Sequence, residues 1–242
     1  MDKSKAYLLI SWQSYWKIYT LSENNWIKMF EAGLFSKDLK IQKLAYQLRA
    51  PVDRALMETY IDQLKKVSLK TLKTDNQKKA FWINVYNGMT NYLIIDNKLK
   101  IHMKELQGFF ADYRLDIGGY WLSLDDIEHG LLRKNARGHL SPDDMKLGLQ
   151  VEKLDYRIHF ALNCGALSCP PIAYYREDRI DQQLAMAKDN FVGAEFIVNE
   201  FSKTIICSSL FEWYREDFGH LYLNDPIYQG FQVQLKPYDW SI

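Results

Sequence analysis

The sequence predicts one α+β domain, a helical N-terminal half packed on a small, mainly antiparallel sheet. Three observations carry that expectation. Apolar residues recur at helical spacing between residues 52 and 95, two short runs flank Gly118-Gly119 in the manner of a hairpin, and beyond residue 157 strand-like runs alternate with helical ones. Helices first and hairpin-type strands later favour α+β over a doubly wound parallel sheet. The 242 residues are enough to bury a sizeable core, and they show no repeat, low-complexity tract or linker to divide them.

The elements follow in order. The first half reads as mostly helical. Pro51 suits a first helical turn, and Val52, Leu56, Tyr60, Ile61 and Leu64 then share a face up to about Val67. Thr74 and Asp75 are both good N-caps for a helix running to Ile95. Tyr113–Ile117 and Tyr120–Leu124 form the hairpin around Gly118-Gly119. Ser123, three residues before Asp126, starts a helix from Asp125 to about Asn135. Arg157–Ala161 reads as a strand that breaks at Asn163-Cys164-Gly165. A helix spans Asp178–Val192, with Ile180, Leu184, Ala187 and Phe191 along one face. Phe196–Val198 and Thr204–Cys207 make a second strand pair, and Ser208 or Ser209 caps a helix Leu210–Phe218 with Gly219 at C′.

Bulk properties narrow the function. Lys and Arg total 31 against 30 Asp and Glu, a balance that argues against nucleic acid as a partner. No apolar run is long enough to span a bilayer, and the stretch Ala6–Ile10 behind Lys3 and Lys5 is too short for a secretory signal, so no membrane partner is expected. Three Cys are too few for a disulfide scaffold. A reducing, cytoplasmic compartment is the simpler reading, with a mature exported form left open. Aromatics reach 14%, an excess that suits a core and a groove equally.

Three constellations could carry chemistry. In His159-Phe-Ala-Leu-Asn-Cys-Gly-Ala-Leu-Ser-Cys-Pro-Pro171 a turn presents Cys164, with Cys169 five positions on. Backbone N–H groups and an imidazole at such a turn make a thiol nucleophilic, whereas the plain alternative is two small buried hydrophobes. No second Cys or His pair stands at matching spacing, so no metal or other cofactor is expected. In the second constellation Asp126, His129 and Arg133 share one helical face with Glu128 beside them; a carboxylate can orient an imidazole, or the group can be a solvated ion-paired surface. The third is the stripe Asn84, Asn87 and Asn91 on an otherwise apolar helix, which either clamps a loop backbone or lines a groove.

Four blocks carry a family resemblance: Phe81–Asn87, Ser123–His129 with Leu132-Arg133, His159–Pro171, and Leu210–Tyr214 with Asp217–Gly219. Together they resemble the family known as domain of unknown function 547, which implies a family core over residues 70–219 of a single domain 1–242, with 1–70 a helical extension and 220–242 a C-terminal segment. That family has no settled activity to transfer. The resemblance also points toward papain-like and transglutaminase-like thiol enzymes, with the order permuted because His candidates precede the Cys.

The function expected from these residues is a thiol-dependent hydrolase or acyl transferase acting on a small molecule or peptide. Cys164 would be the nucleophile and His129 or His159 its base, oriented by Glu128 or Asn163. The Gly165-Ala166 backbone or the Asn84 and Asn87 amides would supply oxyanion donors, and Arg133 and Cys169 would border the site. The alternative is a non-catalytic binding module with structural cysteines. Glu128, His129 and Arg133 are expected to be buried and to face the 159–171 block, and Asn84 or Asn87 to bond the 163–169 turn. A redox bridge between Cys164 and Cys169 is the third possibility.

Overall fold

A computed structural model describes Phe30 and residues 33–242. The Lys3–Ile10 stretch and the start of the expected helical extension lie outside the described residues.

The centre of the fold is helix α3 (Asp75–Asp96), preceded by α1 (Leu34–Gln47) and α2 (Arg54–Lys66). A capping box opens α3: Thr74 Oγ1 accepts from the Gln77 N–H, and Gln77 Oε1 accepts from the Thr74 N–H. Between Ala80 and Ile95 only Tyr92 is not fully buried, so this part of α3 is enclosed on every side, the polar Asn84, Asn87, Thr90 and Asn91 included. Its neighbours α1, α2, the hairpin and α4 (Ile180–Glu195) form one continuous cluster with it. Gly88 sits where α1 presses closest, since a Cβ there would meet the Phe35 ring at 2.4 Å.

The α+β class is borne out, with the strands divided between two small sheets. β1 (Arg114–Ile117) and β2 (Tyr120–Ser123) make the antiparallel hairpin, pairing Ile117 with Tyr120 across Gly118-Gly119. β3 (Phe196–Asn199), β4 (Thr204–Ser208) and β5 (Gln232–Lys236) make the second sheet, antiparallel between β3 and β4 and parallel between β4 and β5. A separate aromatic cluster packs against this sheet and includes Phe160, Phe191, Phe211 and Phe218.

Three expected elements differ. Arg157–Ala161 is not a strand: Tyr156–Phe160 is a 3-10 helix. Asp155 causes this, because its side chain accepts from the Arg157 N–H and its carbonyl from the Ile158 N–H. The apolar run Ile158–Leu162 is buried throughout, a pattern that does not separate a strand from a helical turn. The helix expected over 125–135 is a π-helix, Asp126–Leu132, closed by i→i+5 bonds from Arg133 N–H to Glu128 O (2.8 Å) and Asn135 N–H to Gly130 O (2.9 Å). Its start is as expected: Asp126 N–H donates to Ser123 Oγ and Ser123 N–H to the Asp126 carboxylate. The helix expected over 210–218 breaks after α5 (Leu210–Trp213) and continues as a 3-10 turn, Arg215–Phe218, before Gly219 at φ +57°.

Candidate functional site

The site forms where the two hydrophobic clusters meet. The 3-10 turn 156–160 straddles that seam, with Ile158 and Ala161 in the first cluster and Phe160 in the second. His159, between them, therefore has fixed walls on both sides. The chain then turns at Asn163 into a loop held mainly by amides. Asn163 N–H donates to Asn87 Oδ1 (2.8 Å), and Asn87 Nδ2 donates to Ala161 O (3.1 Å). Asn163 Nδ2 donates to Pro170 O (2.7 Å), and its Oδ1 accepts from the Gly165 N–H (2.9 Å). Gly165 lies at φ +95°, where a Cβ would meet Ile94 Cδ1 at 2.7 Å, so the residue is glycine for both backbone and space.

A cavity of about 180 Å³ opens above this loop, and Glu128, His129, His159, Cys164, Cys169 and Tyr238 all line it. Because residues 156–160 are not extended, the strand alternation that would separate His159 from Cys164 does not operate. Cys164 and Cys169 are joined as a disulfide, so neither is a free thiol. Cys164 N–H donates to Cys169 Sγ at 3.1 Å, and the Tyr238 hydroxyl lies 3.1 Å from Cys169 Sγ and 3.5 Å from Cys164 Sγ. Cys207, the remaining cysteine, is buried in β4, and desolvation pushes its thiol up to about 11.

His159 has a full set of supports. Its Nε2 is 2.7 Å from Asp217 Oδ2, and its ring stacks on Tyr214 with centroids 3.8 Å apart. Burial lowers its pKa despite the bond to Asp217, so the neutral ring dominates at pH 7. The carboxylate can only accept, which puts the ring proton on Nε2 and leaves Nδ1 as a bare lone pair. That Nδ1 is buried and has no protein partner. Asp217 is pinned by Arg133, whose Nε and Nη2 reach its two oxygens at 2.6 and 3.0 Å. Burial works to raise the Asp217 pKa, but the bonds from His159 and Arg133 outweigh it and hold the carboxyl down to about 2.

Arg133 has no exposed side-chain surface, and it also donates to His129 Nδ1 (3.0 Å). The His129 lone pair on Nδ1 is thus occupied, and its Nε2 is 3.9 Å from Asp125. Glu128 Oε1 accepts from the Tyr214 hydroxyl, and burial beside Glu128 drives the Tyr86 and Tyr214 phenols well up. Of the trio expected at the 159–171 block, Glu128 and Arg133 are buried while the His129 side chain keeps 27% exposure. Asp126 pairs with Arg114, His139 and Lys146 rather than with His129 or Arg133.

Several expected roles do not match these partners. The Asn163 amide is committed within its own loop rather than to an imidazole. Asn84 is spent on Tyr175, taking its N–H (3.0 Å) and giving to its carbonyl (2.7 Å), and also donates to Phe30 O. Asn87 bonds the 161–163 backbone as expected, which engages its Oδ1 and one of its two Nδ2 hydrogens, and the Gly165 N–H is taken by Asn163. Sequence reasoning gave no role to Asp217, Tyr214 or Tyr238. The first two lie in the 210–219 block, which was the available signal for them; nothing marked Tyr238. Among the described residues no cluster of three His, Cys, Asp or Glu side chains is placed to hold a metal ion, and no helix is long and apolar enough to cross a membrane.

No curated protein and no solved structure matches this chain. One family model does, described as "Protein of unknown function, DUF547", over residues 69–192, just over half of the sequence. That span includes the bridged Cys164 and Cys169, His159 and the π-helix, while Cys207, Asp217 and Tyr238 fall beyond it. The chain belongs to the DUF547 family.

Proposed function

We propose that this protein is a thiol-dependent hydrolase or acyl transferase, with Cys164 as the nucleophile once the bridge to Cys169 is reduced. The observation that carries the reading is the Asp217–His159 pair, which presents an unpartnered imidazole Nδ1 in the residue lining shared with Cys164. A neutral imidazole with its far nitrogen fixed by a carboxylate is what a thiol needs to lose its proton. His159 is the better base of the two candidates, because the Nδ1 of His129 is already occupied by Arg133. Glu128, held by Tyr214, adds fixed negative charge that favours the imidazolium formed on proton transfer. Tyr238 is the hydroxyl donor facing the sulfurs and can stabilise an oxyanion there.

The order His159, Cys164, Asp217 suits a permuted papain- or transglutaminase-like scheme. The substrate would be a small acyl compound or peptide. A cytoplasmic, reducing setting would keep the bridge open and the enzyme active, and neither nucleic acid nor membrane enters the scheme. The Trp213–Tyr238–Trp240 aromatic wall favours a second reading, a non-catalytic module binding a peptide or small ligand.

Acylation kinetics test the first reading. Reduced protein mixed with p-nitrophenyl acyl esters should release a burst of one nitrophenol per chain, and the burst should be absent from the bridged protein and from Cys164→Ser. A burst of equal size in Cys164→Ser would rule out Cys164 as the nucleophile and leave the binding module.

A further inference from the structure

We propose that Cys164 and Cys169 form a thiol–disulfide exchange centre, in which a low-molecular-weight thiol adds to Cys164 and Cys169 departs as the thiolate. The two sulfurs are bonded, half-buried, and line the cavity instead of lying sealed within the core. A bridged sulfur carries no hydrogen, so every hydrogen bond to it is donated by its neighbour. Two donors converge on Cys169: the Cys164 N–H at 3.1 Å and the Tyr238 O–H at 3.1 Å. Cys164 Sγ receives only the longer approach of the same hydroxyl, at 3.5 Å. Burial, reinforced by Glu128, drives the Tyr238 phenol upward, so it stays protonated and remains a donor.

These contacts break the symmetry of the bridge. When a disulfide is attacked, negative charge collects on the departing sulfur, and the sulfur better supplied with donors departs faster. The chain around each cysteine adds to this. Gly165, without a side chain, follows Cys164, while Pro170 and Pro171 stiffen the backbone behind Cys169.

The chemistry balances with the thiol as the reductant. The thiolate RS⁻ attacks Cys164 Sγ, the Cys164–Cys169 bond breaks, and its electron pair goes to Cys169 Sγ. A mixed disulfide R–S–S–Cys164 forms. A second RS⁻ attacks the R sulfur, releases RSSR and leaves Cys164 as thiolate. Two thiols have then given two electrons to the bridge, and their two protons end on the two cysteines. A small disulfide drives the same steps in reverse. This activity goes beyond acyl transfer, needs neither His159 nor a carbonyl substrate, and its readout survives if the hydrolase reading fails.

The test uses the full chain, oxidised in air, with cysteamine as the thiol. After brief treatment and a quench with N-ethylmaleimide, peptide mass mapping should find cysteamine on Cys164 and maleimide on Cys169. Cys169→Ser has no bridge to attack, so its Cys164 thiolate should instead take cysteamine from cystamine, the matching disulfide, releasing one cysteamine, and should retain the adduct because no neighbouring thiol can displace it. Replacing Tyr238 by Phe keeps the ring against Trp213 and removes one donor, so bridge opening should slow about tenfold, the worth of one hydrogen bond to a charged group. Cysteamine found on Cys169, free thiols at both Cys164 and Cys169 in the air-oxidised chain, or no adduct on either sulfur would overturn the proposal. So would an unchanged opening rate in Tyr238→Phe.

Discussion

Replacing Asn87 by Ala isolates the amide that fixes the candidate site's loop. Two hydrogen bonds vanish together: the donation from Asn163 N–H to Oδ1 at 2.8 Å and the donation from Nδ2 to Ala161 O at 3.1 Å. Ala161 has no exposed surface, so its carbonyl incurs the full desolvation penalty, whereas Asn163 is partly exposed and sits at the lower end of the range. At about 1–3 kcal/mol for each orphaned group, the expected loss is about 2–4 kcal/mol. A chain of this length should then melt roughly 5–15 °C lower. Urea denaturation gives the free energy. Asn84→Ala is the matched control, because its amide bonds the Phe30 and Tyr175 backbone. Both variants should lose stability, but only Asn87→Ala should change the rate at which cysteamine opens the Cys164–Cys169 bridge. Stability within about 0.5 kcal/mol of wild type for Asn87→Ala, below the cost of an orphaned buried carbonyl, would refute the reasoning.

Other outcomes follow from the same contacts. Asp217 is held down to about 2 from an ordinary 3.8, so its contribution is complete above about pH 4 and disappears as pH falls toward 2. Asp217→Asn should flatten the acid limb of a stability–pH profile in that window by about 2 kcal/mol. Gly165→Ala places a Cβ 2.7 Å from Ile94 Cδ1 at φ +95°, and its urea midpoint should fall by the equivalent of about 1–3 kcal/mol. Cys207, with its thiol pushed up to about 11, should stay unalkylated by iodoacetamide near neutral pH in the reduced native protein, while the other two cysteines label; peptide mapping checks this.

Elements written by local chemistry were legible in the sequence. Thr74 and Gln77 start α3, Ser123 and Asp126 start the π-helix, and Gly118-Gly119 turns the hairpin, because caps and turns are decided within four residues. The misread elements depend on distant partners. The π-helix and an α-helix share the same start and the same buried Ile127 and Leu131, and only the i→i+5 closure tells them apart. β5 alternates Val233 and Leu235 with Gln232, Gln234 and Lys236, but it lies at the sheet edge with most of its residues exposed, so no burial pattern marks it. The aromatic excess proves to serve both uses left open by composition: Phe160, Phe191, Phe211 and Phe218 fill a core, and Trp213, Tyr238 and Trp240 wall the cavity.

The candidate site was legible as residues but not as roles, and the reason lies in how its charges are balanced. The Arg133, Asp217 and Glu128 side chains are buried beside the neutral His159 ring, and a buried charge survives only where hydrogen-bonded opposite charge surrounds it. Arg133 meets Asp217 across 84 residues, and His159 meets it across 58, so no spacing in the sequence reports either contact. Without Asp217 the choice between His129 and His159 has no basis. With it, His159 acquires a fixed proton on Nε2 and a bare Nδ1, while His129 is left serving Arg133. Orphaned polar atoms also occur elsewhere in the fold, at Ser36, Thr90, Asn91 and Tyr175, so what distinguishes this network is where its orphan lies. This one satisfies Arg133, Asp217 and Glu128 and leaves unpartnered the one imidazole nitrogen able to take a proton, on a residue that lines the cavity with the two cysteines.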